Sequence, residues 1–201
     1  TEGCRECHSP DAGYVLGVKS LQILREFSYP GGVTDQQLRT WDHLRLLKDA
    51  PKGKEIAGLD RLVRLDDESQ SLDHRIRSYL DVNCAHCHGS KPIRAAWNGN
   101  FDIPLPEQGL LYGTLVGENT SAGYHVVSPK DLTGSVLYRR AATDDISERM
   151  PPVGAQRVDD TFANLLRQWI EALPREEEVP LQLLQARRRG EAVIEVVFAE
   201  A

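Results

Sequence analysis

Two five-residue segments, Cys4-Arg5-Glu6-Cys7-His8 and Cys84-Ala85-His86-Cys87-His88, hold all four cysteines of the chain and put a histidine directly after each pair. Thiols three residues apart can each form a thioether with one vinyl group of a porphyrin, and the adjacent histidine then reaches the iron as its ligand. The spacing therefore predicts two covalently attached haem c groups, held by Cys4, Cys7 and His8 and by Cys84, Cys87 and His88. A shared zinc site fits poorly, because 76 residues separate Cys7 from Cys84, where ribbon-type sites use roughly 15 to 20. A redox dithiol leaves the histidines unexplained, and disulfides closing such short loops are strained.

Each iron has a second face. The single methionine, Met150, stands in Arg149-Met150-Pro151-Pro152 and follows His88 by 62 residues. A thioether sulfur is a soft neutral ligand suited to the face opposite histidine, and the prolines stiffen the loop that presents it. Met150 is expected to serve the second haem and to raise its potential relative to a second histidine. For the first haem the candidates are His43, His74, His86 and His125, or an open position. His43 is favoured: on a helix expected to reach Lys48 it has Leu46 and Leu47 at i+3 and i+4, which would turn it inward. His86 is tightly tethered inside the other attachment loop, His74 sits among charges, and His125 lies in a loop. Arg139, Arg140 and Arg149 are candidates to pair with haem propionates through bidentate hydrogen bonds, Arg140 and Arg149 foremost; solvated surface charge is the competing reading for at least one.

The elements that must position these groups follow from periodicity. Val15, Val18, Leu21, Ile23 and Leu24 predict a helix over 14–27, ended by Tyr29-Pro30-Gly31-Gly32. Thr34 with Gln37 reads as a capping box opening a helix to Lys48, and 49–66 reads as connection. Leu72, Ile76, Tyr79 and Leu80 form one apolar stripe on a helix that starts at Ser71 and runs into Cys84. Ser135 is placed to cap a short helix, and Asp159 to cap one carrying Phe162, Leu165, Leu166, Trp169, Ile170 and Leu173 until Pro174. Residues 89–130, rich in Gly, Pro and Asn, read as loop over the haem. In the tail, Glu176, Glu177 and Glu178 form an acidic linker, then two strand-like runs flank Arg187-Arg188-Arg189-Gly190-Glu191. A lone hairpin is marginal in water, so it is expected to dock on its own body or on another chain.

Residues 70–174 resemble bacterial class I cytochrome c modules. The resemblance rests on a helix leading into Cys-x-x-Cys-His, on Pro129, Asp131, Ser135, Leu137 and Arg140 at the spacing of a Pro-x-Asp-x-x-x-Ser-x-Leu-x-x-Arg segment, on Met150-Pro151-Pro152, and on Trp169-Ile170 in the last helix. Lys130 departs from it, standing where such modules commonly have glycine. The N-terminal half is similar to a wider dihaem group with a Gln-Leu-x-Thr-Trp-x-His segment, here Gln37 to His43. The resemblance implies cytochrome c-like helices around covalent haem; together with the long loops and the small C-terminal β-hairpin read from the sequence pattern, the fold class expected is mainly α. It also implies export to a periplasmic or extracellular location.

The domain expectation is an N-terminal haem-binding module over 1–66 lacking its usual leading helix, a cytochrome c domain over 67–174, and a tail over 175–201. At 201 residues, 40% hydrophobic and 27% charged, the chain has the composition of a globular protein. Its formal charge of −6, deepened by propionates, argues against nucleic acid and toward a basic redox partner or dehydrogenase. No apolar run nears the roughly 20 residues that span a bilayer, and the start at Thr1 reads as a mature or trimmed form. The function expected is electron transfer without chemistry on a substrate. The rivals are a dihaem peroxidase with one open iron, and a cytochrome module of a larger dehydrogenase or of a polymeric wire assembled through the hairpin.

Overall fold

The computed structural model describes residues 4–5, 8–10, 14–52, 54–89, 97–116, 123–152, 154, 156–175, 181–189 and 193–200. Cys7 and the acidic linker Glu176 to Glu178 lie outside them. Helix α1 is Ser20–Ile23, followed by strands β1 (Glu26–Ser28) and β2 (Thr34–Gln36), then α2 (Gln37–His43), α3 (Lys54–Ala57), α4 (Leu72–Asn83), α5 (Val136–Ala141), α6 (Asp160–Ala172), β3 (Leu181–Arg189) and β4 (Val193–Glu200).

The mainly α expectation is corrected. Only α4, with 12 residues, and α6, with 13, exceed two turns among the described residues, and most of the chain between them is turn and loop. Glycine, proline and asparagine are frequent there, and such residues favour turns over helix propagation.

The long helices form where the apolar stripes are long. Ser71 accepts from the His74 N–H at 3.2 Å to open α4, and Asp159 accepts from the Phe162 N–H at 3.0 Å to open α6; side-chain caps of this kind are worth about 1 kcal/mol each. The two helices pack through Tyr79 and Phe162, stacked with ring centroids 3.8 Å apart. Tyr79 also donates its hydroxyl to Asp159 at 3.1 Å, and Trp169 its indole N–H to Asp73 at 3.1 Å. Ile76, Leu80, Leu110, Val127, Leu166 and Ile170 are fully buried around this crossing, each worth roughly 1.5–3 kcal/mol in removed apolar surface.

Ser135 stands at the N-terminus of α5 but makes no side-chain cap there. Its buried hydroxyl instead accepts from the Ser128 N–H at 2.9 Å and lies within hydrogen-bond distance of the Ser128 and Asp131 carbonyls. This network folds 128–135 into a turn, which the Lys130 N–H ties to the Ile170 carbonyl at 2.9 Å. Lys130 has φ +61°, a left-handed conformation that glycine adopts without strain, so its departure from the resembled pattern falls on a position with a physical demand for glycine.

The N-terminal half differs most from expectation. The helix over 14–27 shrinks to α1: Tyr14 has φ +65°, and Val15 and Val18 are exposed. β-branched valines and Gly17 weaken helix propagation there. Thr34 opens no helix but pairs with Ser28 in a β1–β2 hairpin, whose turn carries Gly31 at φ +98° and Gly32 at φ +84°. Gln36 caps α2 by accepting from Arg39 N–H at 2.6 Å. Ile23, Leu24 and Leu38 form a second, smaller core with Leu21, Trp41, Leu47 and Ile56 against it.

β3 and β4 pair antiparallel from Leu181 with Glu200 to Arg189 with Val193, so the three arginines assigned to a turn lie within β3. No helix among the described residues is long and apolar enough to cross a membrane.

Candidate functional site

Cys84 is the C-cap of α4, and its N–H donates to the Leu80 carbonyl at 2.9 Å. The chain then turns tightly, with the Cys87 and His88 N–H groups both donating to the Cys84 carbonyl, at 3.0 and 2.8 Å. This turn fixes both thiols and the imidazole on the buried end of a helix whose core face is rigidly packed. Returning past the turn, the Gly99 N–H donates to the His88 carbonyl at 2.6 Å. A Cβ on Gly99 would lie 3.3 Å from Ala85 backbone atoms, so the close approach favours glycine.

His88 is stacked on Trp97, ring centroids 4.5 Å apart at 19°, and its Nδ1 is buried without a partner. Burial first, and then His86 and Arg140, push the imidazole down to about 4, so at neutral pH it is the neutral form that ligates metals. Burial, with a smaller contribution from Cys87, pushes the Cys84 thiol up to about 12. That is opposite to the lowered value of a reactive dithiol. Among the described residues no three His, Cys, Asp or Glu side chains converge as an ion site. The set fits covalent haem: the Cys84 and Cys87 side chains on one tight turn for thioethers and a neutral His88 beside them.

The Met150 loop is held to the end of α5. Met150 donates its N–H to the Arg140 carbonyl at 2.8 Å, while Arg140 Nε donates to the Glu148 carbonyl at 2.7 Å. Arg140 thereby closes the 140–150 loop upon itself, and its charge acts on His88. Arg149 is largely buried, with Nη1 3.4 Å from the Gln156 carbonyl. Arg139 is exposed, its guanidinium 5.3 Å from the Tyr124 ring. Of the propionate candidates, Arg140 is the one tied to both the attachment turn and the methionine loop.

At the first motif, Cys4 and His8 are exposed. His8 Nδ1 lies 2.5 Å from the Tyr14 carbonyl, the kind of outer contact that orients a ligating imidazole and leaves Nε2 for metal. The inward orientation expected of His43 is corrected. α2 ends at His43, Arg45 turns to φ +57°, and Leu46 is exposed, so no helical face carries His43 and Leu46 together. His43 is exposed.

His74 is engaged: its Nε2 lies 2.8 Å from the Arg61 carbonyl, and its ring packs on Phe101 at 4.8 Å. His125 packs edge-on against Tyr112 at 5.7 Å. His86, set aside on sequence grounds, is held below its ordinary range by burial and by the charges of Lys19 and His8. Sequence reading missed Trp97, Gly99, Lys19 and Asp81. Trp97 and Gly99 stand in a Trp-Asn-Gly-Asn run whose only signal was a turn.

No family model matches the chain, and neither a curated protein nor a solved structure matches it.

Proposed function

We propose that the chain is a dihaem c-type cytochrome that carries electrons between partner proteins, exported to the periplasm or beyond. The observation that carries this reading is the second attachment turn, where Cys84, Cys87 and a neutral His88 stand at the end of α4 within reach of the Arg140 charge. Haem bound there would supply a reversible one-electron couple.

The protein's own groups would do the rest. Cys84 and Cys87 would anchor the haem through thioethers, His88 and Met150 would supply iron ligands, Trp97 would shield the imidazole from water, and Arg140 would meet propionate charge. At the second haem, with protein donors for both faces, exogenous peroxide would find no free position, which favours a carrier there over a peroxidase centre. The same reading makes the first motif, with His8 oriented by Tyr14, the second redox centre.

An optical titration separates the two functions. The second haem is expected to contribute ferric low-spin bands that peroxide leaves unchanged. A high-spin component that shifts on adding peroxide would transfer the reading to the enzyme.

A further inference from the structure

Lys19 follows the first attachment motif, and its side chain ends at the second. Its Nζ donates to Asp81 Oδ2 and to Asn100 Oδ1, both at 2.9 Å. Asp81 lies on α4 just before Cys84, with its side chain 1% exposed. The same Oδ2 accepts from the Phe101 N–H at 2.9 Å, while Oδ1 is buried without a partner. Asn100 follows Gly99, the residue whose N–H holds the His88 carbonyl. One ammonium therefore joins both chain segments that frame Cys84 to His88.

Lys19 itself is fixed. Its N–H donates to Gln22 Oε1 at 2.9 Å at the start of α1, and the Leu62 N–H donates to the Leu21 carbonyl at 3.2 Å, tying α1 to the strand of chain that runs back along α4. Val63 continues that strand by donating its N–H to the buried Ser78 hydroxyl at 3.1 Å. A carboxylate buried this deeply is tolerated because a cation and a backbone donor meet it.

We propose that Lys19 is a positioning residue: through Asp81 and Asn100 it pins the segment at the start of α1, which follows the first motif, against the second attachment turn, and so bears on the spacing between the two redox centres. The functional half of this statement rests on the two-haem reading. The mechanical half does not.

The test compares the full, matured chain with Lys19→Met and Lys19→Arg, using hydrogen exchange at the Leu62 amide and the magnetic coupling between the two low-spin irons. Lys19→Met is expected to raise Leu62 exchange about tenfold or more and to weaken the coupling, with two haems still present by mass. Lys19→Arg, which keeps a cation able to reach both acceptors, restores both readouts toward wild type. If Lys19→Met does not fold, Lys19→Met/Asp81→Asn, which leaves no buried carboxylate unpaired, carries the same comparison. Exchange and coupling unchanged in the methionine variant would overturn the proposal. A parent protein with fewer than two haems would overturn the two-haem reading, while the exchange measurement would still decide whether Lys19 pins the segment.

Discussion

Replacing Cys84 and Cys87 together by alanine is expected to give a folded chain that carries one covalent haem, with about half the haem absorbance per polypeptide expected from two equal attachment sites. On the two-haem reading the two side chains would supply both thioethers of the second motif, and His88 alone would offer a single reversible coordination bond. The backbone of the turn does not depend on them: the bonds from Cys84 N–H to Leu80 and from His88 N–H to Cys84 are main-chain, and alanine supports the end of α4. The remaining haem is expected on Cys4, Cys7 and His8. Intact mass under denaturing conditions counts the attached groups directly, and an unchanged count would remove the second motif from the account.

Met150→Ala is the second large effect. Thioether ligation opposite histidine raises a haem potential, so losing Met150 should lower the midpoint of one couple on the order of 0.1–0.3 V, within the span of about 0.8 V that axial ligands command. The other couple should keep its potential within measurement error. The loop itself should persist, because the Met150 N–H bond to Arg140 and the Arg140 bond to Glu148 both end on main-chain carbonyls. A spectroelectrochemical titration of both proteins decides it: two unmoved midpoints would show that the sulfur is not a ligand.

What could be read from the chain follows the length of its patterns. α4 and α6 carry apolar stripes of three turns or more and side-chain caps at Ser71 and Asp159, so local propensity and tertiary packing agree there. The short elements misled. Thr34 and Gln37 offered a capping box, yet Gln36 caps the helix and Thr34 joins a hairpin, because Gly31 and Gly32 supply a left-handed turn that returns the chain onto β1.

The mainly α expectation failed for the same reason over a longer stretch. Loops such as 97–108 are held not by their own periodicity but by distant side chains, as when Arg77 donates to the Phe101 and Ile103 carbonyls, both at 2.7 Å. His43 looked inward only on a helix extended to Lys48, and that helix stops. At the candidate site the cysteines, His88 and Met150 were visible as residue types and spacing. Trp97 and the Lys19–Asp81 contact were not, since that ion pair joins residues 62 positions apart.

The measurement that reaches the central claim most directly is the mass of the denatured 201-residue chain after expression with a haem c maturation system, read beside its reduced pyridine haemochrome spectrum. Two covalently retained porphyrins per chain, with the absorbance of two thioether-linked haems, is the predicted result. A colourless product whose mass equals that of the polypeptide alone would contradict the account.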